Sequence, residues 1–199
     1  MKKLFFFIVA FQLFFNVAQA VEYNSDPKIF IEELVGDALK TLSDKNTSDN
    51  EKKKAIEKIA TENVDIKALG MYTLGDIRKT LGEDDLKEYN SLFKDYFLKS
   101  LTSRLGEYSS KKFLVTGSDK KSSTYTIVSS KISQDSSSPE IKINWRVYTK
   151  DSLKPLIRDL IVEGLSLART QKEEFSSILK SNNNDIKILF EKLNDFISS

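Results

Sequence analysis

The chain has 199 residues, with 31 Lys and Arg against 29 Asp and Glu, no His, no Cys, 13 Phe and a single Trp. Without imidazole or thiol there is no Ser-His-Asp triad, no cysteine nucleophile, no disulfide and no ordinary zinc or haem site. Lys and Glu are interspersed in near balance, so charge gives no pull toward nucleic acid or an anionic membrane surface.

Residues 1–20 read as a secretory signal peptide. Lys2 and Lys3 form a basic start, Leu4 to Phe15 is almost wholly apolar, and Ala18-Gln19-Ala20 supplies the small residues of a cleavage site. The apolar run is too short to span a bilayer comfortably, and no Cys follows it for lipid attachment. Its removal leaves 179 residues with 29 basic and 29 acidic side chains, seven Phe, seven Tyr and Trp145. That suffices for one sizeable core. Residues 21–199 are therefore expected to form a single exported domain, a monomer held by packing alone.

Phe30, Ile31, Leu34, Val35, Ala38, Leu39 and Leu42 recur at three- and four-residue steps and predict an amphipathic helix. Ser48 followed by Glu51 makes a capping box for a second helix carrying Ala55, Ile56, Ile59 and Ala60. A third helical segment runs from about Asp65 to Leu74, with a bend at Gly75. The strongest element is Glu83 to Leu105, acidic in its first turn and striped with Leu86, Tyr89, Phe93, Tyr96, Phe97, Leu101 and Leu105. It should face the middle of the domain.

From Lys111 the period changes. Lys111–Thr116, Thr124–Ile132, Glu140–Thr149 and Leu156–Glu163 are short, β-branched and aromatic, and separated by turn clusters such as Asp135–Pro139. Four sequential strands with short links predict an antiparallel meander. In the third, Ile141, Ile143, Trp145 and Val147 alternate with polar neighbours. The fourth is apolar on both faces and is expected at the centre of the sheet. Helix resumes after Ser166, with Thr170 and Glu173 as a capping box, and after the Asn182–Asn184 turn Asp185 caps a terminal helix. The expected fold class is α+β, a four-stranded antiparallel sheet flanked by N-terminal and C-terminal helices.

Catalytic candidates are few. Gly164-Leu165-Ser166 superficially resembles a nucleophile elbow, but the hydroxyl has no histidine base, and Ser166 is read as a helix cap with no catalytic role. Asp159 and Glu163 share a strand face and would serve as general bases if apolar surroundings raised their pKa. The alternative is structural: Asp159 paired with Arg146 or Arg158, and Glu163 bonded to backbone at the Gly164 turn. Asp84-Asp85 and the Asn182–Asp185 tract lack calcium-loop spacing and read as helix starts.

Two stretches resemble the MlaC, or toluene-tolerance auxiliary, family. One is Ala68 to Ser109, with Leu74-Gly75, Thr80-Leu81-Gly82, the aromatic helix and Tyr108-Ser109. The other is Asn144-Trp145-Arg146 followed by Arg158-Asp159-Leu160-Ile161-Val162-Glu163-Gly164-Leu165-Ser166-Leu167, then Thr170-Gln171 and Phe175. Lys154-Pro155 departs from the family's Gly-aromatic, and Leu165 replaces the commoner Val. The resemblance implies a periplasmic phospholipid carrier, not an enzyme, exchanging lipid with an outer-membrane lipoprotein complex and an inner-membrane ABC transporter bearing an MCE-domain protein, and so maintaining outer-membrane lipid asymmetry. No cofactor or metal is expected, only bound phospholipid. The acyl chains would lie in an apolar cavity enclosed by sheet and helices, with Leu74, Tyr96, Phe97, Leu101, Ile127, Ile143, Trp145, Leu160, Val162 and Leu167 as its expected lining. Two rival classes are an enzyme on a cone-shaped α+β fold using Asp159 or Glu163 on an apolar substrate, and an adaptor that binds only protein.

Overall fold

A computed structural model describes residues 22–103, 112–133 and 139–199. The expected signal peptide, Leu105, Tyr108-Ser109, Lys111 and residues 135–138 lie outside the described residues. Helix α1, Pro27–Ser43, starts where the Asp26 carboxylate accepts the Lys28 and Ile29 amides and Pro27 presets the first turn. It buries Phe30, Ile31, Leu34, Val35 and Leu42. The capping box at Ser48 and Glu51 opens α2, Asp49–Asn63. Asp65 caps α3, Ile66–Thr73, and Gly75, at φ +65°, takes the left-handed conformation that begins a short 3-10 turn, Gly75–Lys79. Helix α4, Glu83–Thr102, carries Glu83, Asp84 and Asp85 in its first turn and buries Tyr89 and Phe93.

The described strands number five, one more than expected: β1 Lys112–Lys120, β2 Tyr125–Ser133, β3 Ile141–Tyr148, β4 Leu156–Val162 and the two-residue β5 Leu165–Ser166. They form one antiparallel sheet in sequence order. β1 outlasts its expected end because the register shifts between Val115 and Gly117, and pairing resumes after the bulge. β4 is not central. It lies between β3 and the short β5, and it is apolar on both faces because helices α3 and α5 pack on it as well as the inner core. Its start is further tied by a parallel bridge to Val64.

Helix α5, Leu167–Ser181, begins one turn before the expected Thr170–Glu173 box: Ser166 is the cap, accepting the Arg169 amide, and the Thr170 hydroxyl donates back to the Ser166 carbonyl. Asn183 and Asn184, both at positive φ, turn the chain into α6, Ile186–Ser198, capped by Asp185. Two apolar cores result. Helices α3 to α6 close around Tyr89, Phe93, Phe175, Leu189 and Phe190, whereas α1 lies on the sheet over Val115, Val128, Val147 and Ile157. Val64 touches both. The long helix α4 thus packs chiefly on α3 and α6.

Candidate functional site

Register decides which apolar side chains share the inner sheet face. Trp145 pairs with Leu160 and Ile143 with Val162, so these four stand together on the face that α1 covers at its other end. Val162 in turn pairs with Leu165, and Ile132 with Ile141, which carries the strip past the reach of α1. There the apolar surface opens in part: Ile132 stays buried, Ile143 and Val162 are half-buried, Ile141 is 38% exposed and Leu165 69%. Phe113 meets Trp145 edge-on, ring centroids 6.1 Å apart. The indole is fixed by a buried relay in which Trp145 Nε1 donates to Ser130 Oγ at 2.8 Å and Ser130 Oγ donates to the Ile143 carbonyl at 3.1 Å.

A second apolar surface is the aromatic side of α4. Tyr96 and Phe97 are half-buried around Phe93, and Tyr96 lies 4.9 Å from Phe196 of α6, centroid to centroid. The Tyr96 hydroxyl donates to Gln171 Oε1 at 2.7 Å, and burial holds its pKa above the ordinary tyrosine value. Leu101, one turn on, is 38% exposed. The ten expected lining residues are thus divided. Ile143, Trp145, Leu160 and Val162 are brought together on the sheet. Leu74, Tyr96 and Phe97 belong to the helical core, with Leu74 buried. Ile127 pairs with Arg146 on the opposite sheet face, and Leu167 stands half-exposed at the first turn of α5.

The candidate bases are engaged structurally. Asp159, 3% exposed, accepts Ser166 Oγ at 2.7 Å and the Ala168 amide at 3.0 Å, with Arg146 at 3.5 Å. It anchors the start of α5. Glu163 accepts the Lys142 amide and, with Gly164, forms the β4–β5 turn at positive φ. Arg158 serves another contact, holding Asp65 at 2.7 Å and the Tyr125 hydroxyl at 3.1 Å while its guanidinium lies 3.4 Å from the Tyr148 ring centroid. Sequence reasoning missed this seam between α3 and the sheet, for which no local pattern exists. It also missed Ser130, although a serine between Val128 and Ile132 on an apolar strand face was a signal that a partner was needed. Among the described residues no group of three or more acidic side chains is placed to hold a metal ion, and no helix is long and apolar enough to cross a membrane. Two surface clefts, of about 670 and 700 Å³, lie elsewhere, along α5 and between α1 and α2.

The family profile described as MlaC protein matches residues 32–195. A search of curated proteins found no match. Among solved structures, a phospholipid-binding protein from Ralstonia solanacearum, determined in complex with a phospholipid, aligns with a TM-score of 0.70 at 14% identity, covering 84% of this chain and 94% of that one. At that identity the likeness shows a shared fold.

Proposed function

The chain belongs to the MlaC family, and from that premise we propose that it is a periplasmic phospholipid carrier rather than an enzyme. The observation that supports this reading is the cross-strand strip of Ile143, Trp145, Leu160 and Val162, apolar yet only half covered. The fold it shares with a protein solved holding a phospholipid supports a phospholipid as the occupant we assign to that surface. Acyl chains need such cover. At roughly 0.8 kcal/mol per CH₂, two chains of about 14 methylenes exposed to water would cost on the order of 20 kcal/mol.

In this reading the lipid tails lie against the sheet strip and extend toward Tyr96, Phe97 and Leu101, with Leu74 and Leu167 as further lining once the layers part, while Ile127, on the opposite sheet face, takes no part. A sleeve for two chains approaches or exceeds about 1,000 Å³, the upper end of ordinary small-molecule sites. The headgroup stays near solvent. The carrier then exchanges lipid with an outer-membrane lipoprotein complex and with an inner-membrane ABC transporter bearing an MCE-domain protein, and so maintains outer-membrane asymmetry.

Two measurements test the reading. Denaturing mass spectrometry of gently purified protein should find phospholipid, and a blank extract overturns cargo binding. Trp145, the sole tryptophan, makes the second site-specific: phospholipid brominated along its acyl chains should quench its fluorescence, and unquenched emission at full loading would remove Trp145 from the site. Asp159→Asn and Glu163→Gln separate the carrier from the enzyme. A carrier retains its lipid, whereas an enzyme using either base loses about 10²-fold or more in turnover.

A further inference from the structure

The cleft along α5, of about 670 Å³, has a strongly one-sided lining: Arg169, Lys172 and Lys180 against Glu173. Neither Arg169 nor Lys180 forms an ion pair or side-chain hydrogen bond among the described residues. Lys172 is laid against the α3 end, its ammonium 5.2 Å from the Tyr72 ring centroid and its Cε 3.4 Å from where a Cβ on Gly75 would stand. Tyr72 is itself exposed. The cations stand three and eight residues apart along α5; Arg169 and Lys180 are exposed, Lys172 lies nearer the buried edge marked by Phe175 and Leu179, and from Arg169 to Lys180 they span about 16 Å at 1.5 Å per residue.

We propose that this cleft is a docking groove for an acidic segment of a protein partner. Charge complementarity selects the sign of the partner: three cations to one carboxylate, on a chain whose residues after position 20 balance overall at 29 to 29. The side chains select its class: a peptide segment can spread carboxylates over Arg169 and Lys180 and pack on the exposed Tyr72, an aromatic and an arginine being the residue types that anchor protein interfaces. The groove does not involve the sheet strip, so its use is separable from cargo binding.

The probe is a labelled twelve-residue peptide of Glu, Asp and Leu, titrated by fluorescence anisotropy into the full-length protein at low and at physiological salt. Arg169→Glu with Lys180→Glu should weaken binding at least tenfold. Ser177→Trp, which fills the groove and leaves its charge alone, should do the same, while Lys45→Glu with Lys54→Glu, an equal charge change around α2, should leave binding within twofold. The proposal is overturned if the peptide does not bind at low salt, if the α2 pair weakens binding as much as the groove pair, or if Ser177→Trp binds unchanged. It is equally overturned if phosphatidylglycerol vesicles bind through Arg169 and Lys180 and the peptide does not. Phospholipid content of the groove variants should stay at the wild-type level, since its loss would assign the cleft to the cargo site.

Discussion

The helical core and the sheet core use the same kinds of side chain but close differently. Around Phe93 the rings of Tyr89, Tyr96, Phe97 and Phe175 are packed edge and face, and α3 approaches so tightly that a Cβ on Gly70 would lie 2.8 Å from Phe93 Cδ1. On the sheet, α1 fills one end, and beyond Trp145 and Leu160 the same apolar face runs through buried Ile132 and half-buried Ile143 and Val162 to exposed Ile141 and Leu165. Dense packing gives a unique rigid arrangement, whereas a surface that receives a flexible apolar guest has to keep contacts unfilled. A carrier needs one of each.

The largest expected effect sits in the tight core. Phe93→Ala should lower unfolding free energy by about 3–5 kcal/mol in urea denaturation followed by circular dichroism. Trp145→Ala, though it removes a bigger side chain, should cost less because its site is half open and collapses more easily. Equal losses would erase the distinction between the two cores.

Two glycines sharpen it further. Gly70→Ala pushes a methyl into the Phe93 ring and should destabilise by about 1–3 kcal/mol. Gly36→Ala, on the exposed side of α1 with nothing within 4 Å, should instead stabilise by about 0.5–1 kcal/mol through helix propensity and a less flexible unfolded chain. A matching sign for both substitutions would mean that α3 and α4 are further apart in solution.

Ser130→Ala is smaller in stability and larger in consequence. It leaves the Trp145 indole N–H without its acceptor, at a cost on the order of 1 kcal/mol. Freed from the relay, the indole should reorient, shift its emission and change the apparent affinity for phospholipid. An unchanged spectrum together with unchanged lipid affinity would make the relay a bystander.

The parts of this design that could be read from sequence are those with local causes. The Phe30 to Leu42 spacing, Ser48 with Glu51 and the α4 stripe each announce their element within a few turns of chain, and the alternation Ile141, Ile143, Trp145, Val147 places β3 on its correct face. What failed depended on partners distant in sequence. β2 is apolar at both Ile127 and Val128, and only the pairing of Val128 with Trp145 shows which of them faces inward. The two apolar faces of β4 suggested a central strand, because nothing nearby in sequence reveals that α5 folds back over Asp159. Ser166 is the cap that the sequence suggested, but the added Thr170–Glu173 box does not open the helix, and the contact by which Asp159, seven residues earlier, holds the Ser166 hydroxyl has no local signal.

The smallest expected effect compares a tyrosine from each core. Burial pushes both phenols above their ordinary value: Tyr89, enclosed and bonded to Thr73 Oγ1 at 2.9 Å, furthest, and Tyr23, packed edge-on against Phe30 beside Asp37, to about 12. A folded pKa above the unfolded one means that the neutral phenol favours the folded state. Tyr23 therefore contributes its full share below pH 10.0 and loses it as pH rises through about 12. Tyr23→Phe keeps the ring on Phe30 and removes the ionisation, so the fall of the unfolding midpoint between pH 10 and about 12 should become shallower. Tyr89→Phe should act at still higher pH, because its core admits less water. Identical alkaline profiles for wild type and Tyr23→Phe would show that the margin of the sheet core is already wet, and the boundary between its closed and open ends would then lie closer to α1 than Trp145.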